Sequence, residues 1–68
     1  HMSKDTIGSR LTQHRLKQGV TQAEVAKKAD TDTNYYAKIE RDEAVPSLKT
    51  FTKILKALKA NSSDILSI

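Results

Sequence analysis

The chain has 68 residues, a formal net charge of +4, two histidines and no cysteine. That length holds one domain with one small core, which buries about 60% of the unfolded surface and leaves little room for an enclosed active-site cavity. Disulfides and thiolate metal sites are excluded, and two histidines are too few for a zinc site. No apolar run approaches the ~20 residues of a membrane span and no signal-like apolar segment opens the chain, so a cytoplasmic protein is expected. His1-Met2 reads as a cloning remnant, which leaves residues 3–68 as a single domain.

Three residues in all are glycine or proline, and only Gly8 falls away from a break between segments. Strand-type alternation is absent. Ile7, Leu11 and Leu16 form the first apolar stripe, and Gly19 suits the left-handed position after a helix, so the first helix is expected at about Lys4 to Gln18. Thr21 followed by Glu24 is a capping box that opens a second helix, with Val25, Ala26 and Ala29 on its inner face. Asp30 and Thr31 make a turn. Asp32 caps a third helix that runs to Glu40 with Tyr36 and Ile39 inward. Ser47 caps a fourth, the most amphipathic, with Leu48, Phe51, Ile54, Leu55 and Leu58 on one side and Lys49, Lys53 and Lys56 on another. Asn61 caps a short fifth helix, in which Asp64 lies near the helix dipole and Ile65 and Leu66 turn inward. The fold class is all-α: a compact globule of five short helices with short connections.

The charge is unevenly spread along these segments. Residues 1–20 carry four Lys or Arg against one Asp or Glu, and residues 48–68 repeat that ratio. Residues 21–40 carry three against four, and 41–47 one against two. A basic excess points to a polyanionic partner, and here it flanks the second and third helices. Those two helices, joined by a tight turn with the small Ala26 at their crossing, form a helix-turn-helix. A single exposed helix of this length fits the ~12 Å major groove of DNA.

Arg10-Leu11 and Arg15, the run Gly19-Val20-Thr21-Gln22-Ala23-Glu24-Val25-Ala26, Ile39-Glu40-Arg41, and Pro46-Ser47-Leu48 with Phe51 and Leu55 together resemble the phage-repressor-type helix-turn-helix proteins, also called the Cro-like or XRE family. The resemblance covers nearly the whole chain. It implies a sequence-specific, double-stranded-DNA-binding transcriptional regulator, prokaryotic or phage-encoded, that acts as a homodimer on a palindromic operator. It also implies a dimer surface around Asn61 to Ile68, no cofactor and no small-molecule ligand.

By the same resemblance Gln22, Thr33, Asn34 and Lys38 are base-contacting positions, and their chemistry fits: Asn and Gln suit adenine, Lys suits guanine acceptors, and Thr brings a hydroxyl and a methyl. Arg10, Arg15, Thr21, Tyr35, Arg41 and Lys49 are implied phosphate contacts, and Arg15 with Glu40 a structural pair. Tyr36 matches a buried position. For the polar side chains of the third helix, the alternative is a solvated face of an ordinary amphipathic helix. Two turns depart from the family pattern, with Asp30 and Asp42 where glycine is usual; Asp tolerates left-handed backbone better than most residues.

Two other classes of function have distinct sequence signatures. A protein-interaction module, such as an antitoxin or coactivator part, would show an exposed apolar patch on the fourth or fifth helix in place of a basic footprint. An enzyme is not expected, since no nucleophile–base set, metal cluster or phosphate-cradling glycine loop is present and His14 lies on a polar stretch.

Overall fold

A computed structural model describes residues 6–66, which form five helices: α1 Ile7–Gln18, α2 Gln22–Lys28, α3 Thr33–Glu40, α4 Leu48–Leu58 and α5 Ser62–Leu66. His1-Met2 lies outside the described residues. Each of the first four helices begins at a hydroxyl or carboxylate cap. Thr21 and Glu24 exchange the two hydrogen bonds of the expected box, at 3.1 and 2.8 Å. Asp32 accepts from the Tyr35 N–H, and Ser47 from that of Thr50.

The start of α1 differs from expectation. Thr6 is extended, its hydroxyl accepts from the Ser9 N–H, and the Ser9 hydroxyl caps the Thr6 N–H in return. This second capping box sets the first helical residue at Ile7. At the other end, Gly19 takes the left-handed turn at φ 72° that closes α1.

The helices meet around a core of Leu11, Val25, Ala26, Ala29, Tyr36, Ile39, Ile54, Leu55, Leu58 and Ile65. α2 lies against α3 and α4, while α1 lies against α3, α4 and α5. Ala26 is fully buried at the α2–α3 crossing, where its lack of bulk lets the helices approach.

Four residues assigned to the core by periodicity are exposed: Ile7, Leu16, Leu48 and Leu66. Leu16 follows Leu11 by five positions, which rotates it about 140° away from the Leu11 face. The other three sit at helix ends, Ile7 and Leu48 as first residues and Leu66 as the last, at the edge of the core.

Gly8 has a packing reason. A Cβ there would meet the main-chain oxygens of Ile39 and Glu40, so the first turn of α1 lies directly on the backbone at the end of α3. Asp30 and Asp42 do adopt left-handed backbone, at φ 57° and 62°, and so does Lys59 at φ 54°, closing α4 without a glycine.

Candidate nucleic-acid interface

The second helix of the helix-turn-helix is held from behind by a carboxylate at its last residue. Glu40 is buried, and its two oxygens receive Arg15 Nε at 2.7 Å and Arg15 Nη2 at 3.2 Å. Arg15 Nη1 also donates to the Val20 carbonyl at 3.1 Å, so three of its five N–H groups are engaged. The planar guanidinium fork thus joins α1, the α1–α2 turn and α3 at one point. The expected Arg15–Glu40 pair is present in bidentate form.

Gln22 joins the same cluster. Its Nε2 donates to Glu40 Oε1 at 2.9 Å, which fixes the amide from the first residue of α2. Burial by itself would push the Glu40 carboxyl up, but the hydrogen bonds from Arg15 and Gln22, with the polar groups of Tyr36 and Thr12 near it, hold it below the ordinary carboxylate range. The Tyr36 hydroxyl is buried beside this carboxylate without a well-aligned partner, and burial first, then the neighbouring Glu40, pushes its ionisation up. Glu40 therefore stays charged as a receiver of donors.

The front of α3 is the opposite case. Thr33, Asn34 and Lys38 are exposed, and none has a side-chain hydrogen bond or ion pair among the described residues. Asn34 and Lys38 are four positions apart and share one helix face, with Thr33 beside Asn34 at the N-terminal end. Tyr35 is half-buried, and its hydroxyl reaches the Val45 carbonyl at 3.4 Å. The two adjacent tyrosines diverge, with Tyr36 entirely inside.

The flanking positions divide into engaged and open groups. Thr21 uses its hydroxyl oxygen as an acceptor in the α2 cap, which leaves the hydroxyl proton to donate outward. Arg41 is exposed but forked onto Glu43 at 3.1 Å through two nitrogens. Lys49 is exposed in the first turn of α4. Arg10 Nη1 donates to the Ile65 carbonyl at 3.1 Å, tying α1 to α5. Any phosphate approaching Arg10 or Arg41 must share the fork with these acceptors. Sequence reasoning did not find the Gln22–Glu40 bond or the α1–α5 tie, because both join residues distant in the chain.

Comparison with known proteins agrees with this arrangement. Residues 11–65 match the helix-turn-helix family. Over 61 residues the chain is 38% identical to the immunity repressor protein of Bacillus phage phi105, covering 90% of this chain and 42% of the repressor. The chain thus spans less than half the length of that relative. The restriction-modification controller protein C.AhdI from Aeromonas hydrophila superposes with a TM-score of 0.84 at 27% identity, over 88% of this chain and 91% of that one. The controller protein C.Esp1396I, solved as a tetramer on its natural 35-base-pair operator, gives 0.81 at 25% identity over 97% and 90% of the two chains. With more than half of its length matched and its five helices in the same arrangement, the chain belongs to the helix-turn-helix family of non-enzymatic DNA-binding domains, of the repressor-like XRE type.

Proposed function

We propose that the chain is a transcriptional regulator that binds operator DNA as a homodimer, with the N-terminal part of α3 in the major groove. The observation that carries this reading is the contrast across α3: its last residue is clamped by Arg15 and Gln22, while Thr33, Asn34 and Lys38 stand exposed. A rigidly mounted helix with an open polar face is what base reading requires. Asn34 would bond adenine at N6 and N7, Lys38 guanine acceptors, and Thr33 a thymine methyl or a base edge. Gln22 would present the part of its amide not used by Glu40. Thr21, Tyr35, Arg41 and Lys49, with Arg10 and Arg15 at the margin, would hold phosphates.

Selection of bound duplexes from a random pool tests this reading. The expected product is one recurring half-site, repeated in inverted orientation about one helical turn apart. A pool that never enriches a common half-site would rule it out. The second reading, a protein-interaction module, has one observation in its favour, an apolar groove bordered by α4 and α5. The groove accompanies the exposed basic side chains and does not replace them. Replacing Gln22 and Asn34 with Ala separates the two readings, because only DNA reading predicts altered base preference.

A further inference from the structure

Among the described residues, one buried side-chain polar atom has no hydrogen-bond partner, the hydroxyl oxygen of Tyr36. Tyr36 is wholly inside the core, four residues before Glu40 on the same face of α3, and its hydroxyl lies beside the Glu40 carboxylate. A buried donor left without an acceptor is costly, and here an anion is within reach. That carboxylate already has three donors: Oε2 receives Arg15 Nε, and Oε1 receives both Arg15 Nη2 and Gln22 Nε2. Thr12, the other hydroxyl nearby, donates to the Gly8 carbonyl of its own helix. Tyr36 is thus the neighbour of Glu40 whose proton is unspent.

The donors on Glu40 are not held alike. Arg15 is charged, bidentate and also fixed on the Val20 carbonyl. Gln22 is neutral, half-buried and attached by a single bond from the first residue of α2. It is the donor that can leave. A glutamine that reads adenine lays its amide along the base edge, and the Gln22 amide is instead oriented by Glu40. Reading therefore competes with the clamp, and departure of Gln22 would strip a buried carboxylate of a donor.

We propose that the Tyr36 hydroxyl takes the place of Gln22 on Glu40 when Gln22 turns to DNA, which makes Tyr36 a positioning residue for base reading by Gln22. The hydroxyl proton rotates to suit its acceptor, and donation to a charged acceptor is stronger than to a neutral one. The cost of freeing Gln22 is thereby offset from within the core. The turn toward DNA rests on the regulatory reading above; the exchange on Glu40 does not.

The test compares the whole native chain with Tyr36→Phe, Gln22→Ala and the double variant. Phenylalanine keeps the ring in the core and removes the hydroxyl. In urea titrations Tyr36→Phe should change the folding constant of the native chain by less than about threefold, because Gln22 already serves Glu40. In the Gln22→Ala background the same change should lower it by roughly tenfold or more, the worth of a hydrogen bond to a charged group. On a duplex selected from a random pool, and on its single-base variants, Gln22→Ala should lower discrimination at one base pair by roughly five- to 150-fold. Tyr36→Phe should already weaken that same discrimination by about fivefold, while the preference read by Asn34 stays unchanged. The proposal is overturned if Tyr36→Phe costs the same in both backgrounds, if it leaves the discrimination by Gln22 intact, or if Gln22→Ala alters no base preference. Should the pool enrich no duplex, the regulatory reading fails, while the urea comparison still decides whether Tyr36 replaces Gln22 on Glu40.

Discussion

The two ends of α3 are built on opposite principles. At the C-terminal end, Glu40 is buried, receives three N–H donors from Arg15 and Gln22, and lies against the backbone of Gly8. At the N-terminal end, Thr33 and Asn34 are exposed, and the cap there uses Asp32 alone. Free energy for holding the helix is concentrated at the end that the proposed function keeps off the bases. At the open end Thr33, Asn34 and Lys38 have no side-chain partner among the described residues that a bound duplex would have to displace. Changes at the anchored end should therefore cost stability, and changes at the open end should cost only recognition.

The largest effect is expected from Glu40→Ala. It strands a largely buried arginine and removes the acceptor of Gln22, so unfolding free energy should drop by about 3 kcal/mol, measured by urea titration. For a domain of this size that is a large share of the total, which is about 3–10 kcal/mol. Next is Gly8→Ala, whose methyl would press on the carbonyls of Ile39 and Glu40. A loss of roughly 1–3 kcal/mol is expected despite the better helix propensity of alanine. If Gly8→Ala were neutral, the close backbone crossing would not be a fixed part of the anchor.

Acid should act on the same end. The folded Glu40 carboxyl lies below its ordinary value of about 4.3, so its contribution is complete above that pH and lost as pH falls through the lower folded value. Thermal melts between pH 7 and 3 should show this decline, and Glu40→Gln should flatten it. A residual slope is expected from Glu24, lowered by the Thr21 backbone and hydroxyl bonds, and from Glu43, lowered by Arg41.

At the open end, Asn34→Ala should leave stability within about 0.5 kcal/mol while changing base preference at one position by about 1–3 kcal/mol. The smallest effect is expected from Lys49→Ala, which should weaken binding equally for all sequences and lower the salt slope by about one. Arg41→Ala should exceed it, because the released Glu43 then faces the phosphates unpaired.

Local chemistry was readable in the sequence wherever a signal spans three or four residues. The caps at Thr21, Asp32 and Ser47 and the turn at Gly19 all fall where spacing put them, and the left-handed Asp30 and Asp42 where the family resemblance implied glycine-like turns. The helix-turn-helix followed from those signals. Apolar periodicity was less informative at helix ends, because it reports an amphipathic face and not what covers that face. Ile7, Leu48 and Leu66 continue their stripes correctly and yet lie outside the intramolecular core. All three line the apolar groove. The family resemblance also implied Arg10 as a phosphate contact without showing that α5 offers it a carbonyl.

Asp42 does more than turn the chain after α3. Its carboxylate receives the Gly8 N–H at 3.0 Å and the Thr6 hydroxyl at 2.5 Å, so the exit of α3 closes the entrance of α1. A helix end normally frays on its own, independent of the rest of the molecule. Here the first turn of α1 can open only when the turn at Asp42 also lets go, some 34 residues away in the chain. The Gly8 amide should accordingly exchange its hydrogen for deuterium on the slow timescale of cooperative unfolding, and in Asp42→Gly, which keeps the left-handed turn but removes the clasp, on the fast timescale of a loose terminus.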